Sequence, residues 1–554
     1  MMIAPACDPP IFPPLPFPEE IRAWDKGAAD LGLPEILLME NAARAALHVL
    51  HRYCPDLAGK SIWLFMGSGN NGGDAACLAR HLVDAHARPL VLHTKPLRHC
   101  KGACARHVAI AKASGVPFFP LRWNRDKWRL PPDHLPHIIV DGIMGTGFSG
   151  LLRPQTQALI EAVNTLAPQR LVLALDIPSG LNARTGRPQP EAVRATATAS
   201  FAAGKPGLAL PCARPWSGRV HVCDIGIPSI VRRKSPCSAY LIDARCIARL
   251  GTPANLPENS FKNTFGHVLV LGGASGYGGA AHLASRAALR TGAGLVTAVA
   301  PAGAVADIKC GWPEIMTLAL KDNDHAWPTS ISDSLAALLK RSNALVVGPG
   351  LGRGRDATAF LRALMTFRRP PTVFDADALA IMAQERDLLD VVQDEDILTP
   401  HPGEAAMLLG LSAREVQADR WAALDGLCSL SRGINILKGA GTLVRQKASP
   451  TGICPYDVPQ LAVGGSGDVL AGCLGGLLAS KPDIEYNTNL EHTFPGGPFL
   501  VTAGQGVALH ALAGRSLAHQ WPVRGNTATA IADALPHVFH TVSQDQEDDL
   551  AWPR

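Results

Sequence analysis

The chain has 554 residues, too many for one ordinary domain, and its 47% hydrophobic and 18% charged content suits soluble, well-packed units. A formal net charge of +5 is small for this length and no block of like charge stands out, so there is no reason to expect nucleic-acid binding. No unbroken run of about 20 apolar residues occurs, and no membrane span is expected.

Residues 1–18, "MMIAPACDPPIFPPLPFP", are a proline-rich lead-in with neither the basic start nor the apolar stretch of a signal peptide. The 13 cysteines are scattered and read as reduced thiols, which places the protein in the cytoplasm. From about residue 60 short apolar strands alternate with helices. "SIWLFMG" is a strand, "GGDAACLARHLVDAH" a helix, "RPLVLHT" a strand. "HCKGACARH" then offers His99, Cys100, Cys104 and His107, residue types that bind zinc. It has no second ligand pair at zinc-ribbon spacing, and "GACARHVAIAKASG" reads as an ordinary amphipathic helix, which is the preferred reading. "HIIVDGI", "LVLALDIPSG", "ATASFAA" and "GRVHVCDIG" are further strands, with the helix "TQALIEAVNTLA" between the first two. Continuous apolar strands between helices predict a doubly wound parallel sheet.

The pattern lapses between Pro228 and about Thr264, which puts a boundary near residues 228–240. It resumes with "HVLVLGG", "LVTAVAP", "ALVVGPG", "PTVFDADAL", "DILTPHPGE" and "NILKGAGTLV", read as strands with their exit loops. "DIEYNTNLEHTFPGGP" interrupts the last helices as a loop, and "SQDQEDDLAWPR" is an acidic, fraying tail. The predicted organisation is a lead-in over 1–18, a domain over 19–228, a linker over 229–237, a domain over 238–540 and a tail over 541–554.

Two constellations carry chemistry. In the first, "GSGNNGGDAACLAR" (67–80) follows a strand and opens a helix, so its glycines let backbone N–H groups approach an anion. It does not match G-x-G-x-x-G, which removes the dinucleotide fingerprint. Asn70, Asn71 and Asp74 add side-chain donors and acceptors, although a capped turn would use the same residues. Asp141 in "VDGIMGTGFSG", and Asp176 with Ser179 in "LDIPSG", end two more strands. Ligands of open α/β sheets bind beyond the carboxyl ends of the strands, so Asn71, Asp141, Asp176 and Ser179 are expected to converge. Their all-oxygen set suits a hard cation rather than zinc; taken singly, each aspartate could be a turn or helix cap.

"LMENAAR", "GSGNNGGD", "VDGIMGTG", "LALDIPSGLNARTG", "GKPGL" and "CDIGIP", in this order, together resemble the NAD(P)H-hydrate epimerase domain over residues 19–228. The resemblance implies a Rossmann-like three-layer domain and a potassium ion bound by Asn71, Asp141 and Ser179. It implies that the hydrated nucleotide contacts Asn70, Asn71, Gly72, Gly73 and Asp74, then the loop of Gly145, Thr146, Gly147, Phe148, Ser149, Gly150 and Leu151. Asp176 would do the acid–base work at the epimerised carbon. Ala43 and Ala75 stand where the family commonly has glycine, and Asn182 where it has aspartate.

In the second constellation, "GHVLVLGGASGYGGAAHLASRAALRTGAG", "GPGLG" and "DADAL" end strands with glycine turns or carboxylates. "TPHPGEAAMLLG", "KGAGT" and "GGSGD" (464–468) follow. The GGSG backbone can hold a phosphoryl group at a helix start. A carboxylate beside phosphate is repelled unless it faces something else. Asp468 is placed to accept a proton from a substrate hydroxyl as that oxygen attacks phosphorus. No G-x-x-x-x-G-K-[ST] occurs, so this is not a P-loop enzyme.

This set resembles the ribokinase-like superfamily, and more closely its NAD(P)H-hydrate dehydratase branch, over about residues 238–540. The two domains together are similar to the bifunctional NAD(P)H-hydrate repair enzymes. The resemblance implies a C-terminal ribokinase-like α/β domain using ADP as co-substrate with Mg2+. Ala280, Gly350 and His401 would meet the hydrated nucleotide. Lys438, Gly439, Ala440, Gly441, Thr442 and Gly467 would meet the adenine nucleotide, and Asp468 the substrate hydroxyl. Two departures are "DVPQLAV", in place of an Asn-Pro-Gly-type stretch, and Asn263, where glycine usually follows the lysine.

The expected activity is epimerisation of the R and S hydrates NADHX and NADPHX, with ADP-dependent dehydration of the S epimer to NAD(P)H, AMP and phosphate. A homo-oligomer with small-molecule partners is expected. The rival is a ribokinase-like kinase for a vitamin precursor or sugar with a fused ligand-binding domain. A third reading makes the first half a sensing or protein-binding module.

Overall fold

The computed structural model describes residues 11–124, 127–131, 135–250, 260–320, 324–480, 496–521 and 524–544. Most of the lead-in, most of the segment read as an interrupting loop, and the acidic tail from residue 545 lie outside the described residues. The chain divides into two compact units, one over Pro13–Tyr240 and one from Leu241 onward, with Phe12. No helix among the described residues is long and apolar enough to cross a membrane.

In the first unit the strands of the main sheet are β1 (Ser61–Met66), β2 (Arg88–His93), β3 (Phe118–Pro120), β4 (Ile138–Gly142), β5 (Leu171–Leu175), β6 (Ala197–Phe201) and β7 (Arg219–Cys223). They lie in the order β3-β2-β1-β4-β5-β6-β7, every neighbouring pair parallel. Such a sheet is covered on both faces, which is why β1 and β4 are buried apolar runs rather than alternating ones. The order reverses between β1 and β4, and a crevice opens there at the carboxyl ends. The loops leaving these two strands touch: a Cβ on Gly67 would stand 2.0 Å from the carbonyl oxygen of Ile143, so only glycine fits.

The second unit holds β8 (His267–Leu271), β9 (Leu295–Pro301), β10 (Met316–Leu320), β11 (Ala344–Val347), β12 (Thr372–Phe374), β13 (Ile397–Leu398), β14 (Ile434–Leu437), β15 (Thr442–Arg445) and β16 (Thr451–Cys454). Their order is β16-β15-β14-β13-β12-β11-β8-β9-β10. From β14 to β10 the neighbours are parallel, and the order reverses between β8 and β11. The segment "NILKGAGTLV" is not one strand with an exit loop. It is β14 and β15 paired antiparallel, with β16 added antiparallel beyond them. Gly439 at φ 133° and Gly441 at φ 69° make the reversal.

The GGSGD segment opens the helix Ser466–Ala479, which packs on Gly278–Arg290. A Cβ on Gly472 would come within 2.0 Å of the Ala284 carbonyl oxygen, and one on Gly476 within 2.8 Å of the Ala288 carbonyl oxygen. Two glycines four residues apart thus let one helix backbone rest on the other, closer than ordinary side chains permit.

Deep in this unit Arg369 donates to Asp396 through two bonds of 2.7 and 2.6 Å, and both side chains are fully buried. Asp396 also accepts from the backbone of Thr372 and Gln393, tying the starts of β12 and β13 together. Asp396→Ala would leave a buried guanidinium without its anion. A loss of about 3–5 kcal/mol in urea unfolding of this unit is expected.

Candidate active sites

The crevice of the first unit is a cavity of about 600 Å³. The loop after β1 and the start of the helix Asn70–Asp84 supply Asn70, Asn71 and Asp74 to it; the loop after β4 supplies Gly145, Thr146, Gly147 and Phe148; Asp176 follows β5. Other expected residues do not line it. Gly73 packs under the helix against Met39 and Cys104, and Gly72 against the Gly67 carbonyl. Ser149, Gly150 and the exposed Leu151 lie beyond the lining.

Asp141, Asn71 and Ser179 are brought together. The fully buried Asp141 accepts from the Ser179 hydroxyl at 2.6 Å and the Ser179 N–H at 2.7 Å. Burial pushes its carboxyl up to about 6, while the Ser179 bonds pull it down. Asn71 donates its amide to the Met144 carbonyl at 2.9 Å, leaving Oδ1 buried with no hydrogen-bond partner. A buried lone pair and a desolvated carboxylate are what a bound cation would relieve, so these residues suit a hard cation.

Asp176 adopts φ 64°, a left-handed conformation that aspartate tolerates better than most residues. The turn sets one carboxylate oxygen 2.6 Å from Nζ of Lys205, which is 1% exposed and also donates to the carbonyls of Phe201 and Ala203. The other oxygen faces the Thr146 N–H at 3.4 Å, on the cavity side. Asp74 is held well above the usual carboxylate range, by burial first and then by the charges of Asp176, Glu35 and Asp25. Asp25 is pushed up to about 6 by burial and by Glu35 and Asp176, against the pull of Lys205. The cavity therefore sets a carboxylate ion-paired to Lys205 beside two carboxyls, Asp74 and Asp25, whose proton affinity burial raises, the kind of contrast that separates base from acid. Asp25, Glu35 and Lys205 were not assigned from sequence. Of these only Lys205 sat in a quoted motif, "GKPGL".

The departures cost little here. Ala43 and Ala75 are buried without exposure, and Asn182 caps its own turn, its Oδ1 accepting from the N–H groups of Arg184 and Thr185 at 2.9 Å each.

In the second unit the loops after β12 and β14 bring Asp375 and Lys438 to the start of the helix Ser466–Ala479. Lys438 lies 2.7 Å from Asp375 and 3.8 Å from Glu404. Burial works against the Lys438 charge, but Asp375 and Glu404 hold its pKa above the ordinary lysine value. A Cβ on Gly467 would be 3.3 Å from the Lys438 ammonium, so the GGSGD and KGAGT segments are in contact. Asp468 is pushed up to about 7 by burial and by Asp375, with Lys438 pulling the other way. Glu404 is likewise raised to about 7, by burial first. Asp375 and Glu404 beside one ammonium form an all-oxygen acidic pair that suits a divalent cation.

Gly350, at φ 62°, stands against Ala280: a Cβ there would be 3.2 Å from that of Ala280 and 2.7 Å from the Tyr277 carbonyl. His401 caps the helix Pro402–Leu409, its Nδ1 accepting from the Gly403 N–H at 2.9 Å while Glu404 closes the box from the other side. Its imidazole remains about half exposed. Arg420, not singled out from sequence, donates to the carbonyls of Leu437, Lys438 and Gly441 and fixes the Lys438–Thr442 turn from behind. In the departing "DVPQLAV" stretch, the Gln460 carbonyl accepts from Asn526 at 2.7 Å, which anchors the approach to the glycine loop.

Comparison with known proteins agrees with this division. Residues 268–537 match the NAD(P)H-hydrate dehydratase family, and residues 35–207 match the YjeF-related protein N-terminus family. The chain is 34% identical over 526 residues to the bifunctional NAD(P)H-hydrate repair enzyme of Coxiella burnetii, covering 94% of this chain and 97% of that one. It is 32% identical over 540 residues to that of Escherichia coli (strain K12), covering 96% and 95%. Among solved structures, a ribokinase-like superfamily protein from Enterococcus faecalis is 24% identical with a TM-score of 0.46, covering 55% of this chain and 97% of that one. With relatives matched nearly end to end, and a Rossmann-like unit fused to a ribokinase-like α/β unit, the chain belongs to the family of bifunctional NAD(P)H-hydrate repair enzymes.

Proposed function

We propose that the chain repairs hydrated NADH and NADPH in two steps, one in each unit. The observation that supports this reading most is that each unit carries its own complete and different constellation beyond the carboxyl ends of its strands: Asp176 with Lys205 and Asp74, and Asp468 with Lys438 and the GGSG turn.

In the first unit the R and S hydrates interconvert at the carbon that bears the hydroxyl and the ring nitrogen. Breaking and remaking a bond to oxygen there needs a proton given and a proton taken. Asp176, ion-paired with Lys205, is the base, and Asp74, whose proton affinity burial raises, is the acid. Asn71, Asp141 and Ser179 would hold potassium, which supplies positive charge at the floor of the site. In the second unit Asp468 takes the proton of the substrate hydroxyl as its oxygen attacks the β-phosphorus of ADP. The new O–P bond forms, the P–O bond to AMP breaks, and Gly467 and Lys438 steady the phosphates. Phosphate is a far better leaving group than hydroxide. The ring nitrogen lone pair expels it, and loss of a proton from the neighbouring carbon restores the dihydronicotinamide. Asp375 and Glu404 would hold Mg2+, which spreads phosphate charge when bound.

The test is recovery of dihydronicotinamide absorbance from a mixture of NADHX epimers with ADP, magnesium and potassium. Both epimers should return to NADH. Replacing potassium by a bulky organic cation should slow recovery of the R share alone. Recovery of the S share only, whatever the cation, would leave the first unit without the proposed activity. No recovery, with phosphorylation of a small alcohol instead, would favour the kinase reading.

A further inference from the structure

We propose that Glu40, Cys77 and His107 form a second metal site, distinct from the cation site of the cavity and suited to a borderline-soft divalent ion of the zinc class. The three residues come from three helices, Glu35–Tyr53, Asn70–Asp84 and Gly102–Ala113. One ligand atom of each lies within 4.8 Å of the others. Cys77 and His107 are 1% and 2% exposed.

The histidine supplies the independent sign. Its Nε2 lies 3.1 Å from the Ile36 carbonyl, which can only accept, so Nε2 carries the proton. That leaves Nδ1 as a bare lone pair, buried and without a hydrogen-bond partner. A backbone carbonyl that fixes the tautomer of a buried imidazole is the usual support behind a metal-binding histidine. The carboxylate is equally prepared. Arg80 donates to both Glu40 oxygens at 2.6 Å and His81 lies 2.9 Å from one of them, so Glu40 is ionised and oriented. Between Cys77 Sγ and Glu40 Oε2 is a 3.2 Å hydrogen bond. A metal ion would take the place of that thiol proton: the S–H bond breaks, a sulfur–metal bond forms, and one proton leaves to solvent for each ion bound.

One thiolate, one imidazole and one carboxylate favour zinc over magnesium or calcium and leave a fourth position for water. The Arg80 charge opposes the ion, so binding is weaker than at a closed four-ligand site. The sequence set His107 beside Cys100 and Cys104, but the sulfur that groups with His107 belongs to Cys77. The helix that carries Cys77 begins with the cavity residues Asn70, Asn71 and Asp74, so a bound ion would clamp the cavity floor.

The test is a Co2+ titration of the full chain, reduced and freed of metal by a chelator. One equivalent should give the charge-transfer absorption of a cobalt thiolate with tetrahedral visible bands, and one equivalent of Zn2+ should erase both. Cys77→Val and His107→Gln should weaken Co2+ binding by more than about 10-fold, whereas Cys104→Ser should bind as the native chain does. Cys77→Val replaces the sulfur with a side chain of similar volume, and its retained epimerase activity would report a folded unit. Zn2+ should raise the melting temperature of the native chain and not that of Cys77→Val. Absence of a stoichiometric thiolate band, or a band that survives Cys77→Val, would overturn the assignment.

Discussion

Asp468→Asn is expected to lower ADP-dependent dehydration by roughly 10²–10⁴-fold, the usual worth of a positioned general base, while ADP binds as tightly as before. The two effects separate because the phosphates are held by backbone N–H groups and Lys438, not by the carboxylate. Removing a negative charge from their surroundings cannot weaken an anion. The pH profile carries a second signature. With Asp468 raised to about 7, the base is protonated and idle below that pH, so the native rate should climb through neutrality and level off above it. Asparagine cannot titrate, and the residual rate of the variant should lose this rise. A variant that turns over normally, or one that loses ADP binding in calorimetry along with activity, would remove Asp468 from the proton path.

The second large effect is expected at Asp176. Asp176→Asn should depress epimerisation by a similar 10²–10⁴-fold and leave dehydration of the S epimer untouched, because Asp468 lies in the other compact unit. The substitution also strips Lys205 of its anion. A fully buried ammonium would then face neutral oxygens where its ion-pair partner stood, so this unit should melt at a lower temperature. Circular dichroism at the assay temperature separates a folded, inactive variant from an unfolded one. Equal loss of both activities in a folded variant would show that the two chemistries do not divide between the units as proposed.

What could be read before the structure follows from where chemistry departs from pattern. Asp141 and Asp176 were visible because a carboxylate at the end of an apolar strand has no packing reason to be there. Lys205 and Asp25 were not visible as site residues, because their meaning lies in neighbours far away in sequence: a lysine among small residues reads as solvated until Asp176 is found against it. The same holds for Asp375, which stood in a quoted strand end, while its pairing with Lys438 spans a separation of 63 residues. The antiparallel β14–β15 pair was misread because an apolar run broken by "KGAG" looks like a strand and its exit loop. The two left-handed glycines were the available sign of a hairpin. His401 was read as a ligand-facing residue; its second role was also legible, because the Pro-Gly-Glu after it spells a helix start, with proline in the first turn and glutamate closing the cap.

The glycine seam between the helices Ser466–Ala479 and Gly278–Arg290 bears on how freely this sequence can drift. Any side chain at Gly472 would drive into the carbonyl of Ala284. The helix would have to lift, and Asp468, one turn earlier on the same rod, would lift with it. Residues that never meet a nucleotide would then be as intolerant of change as the catalytic carboxylate. A map of tolerated substitutions would trace the scaffold that aims Asp468 as sharply as the chemistry itself, and ranking residues by intolerance alone would mistake the one for the other.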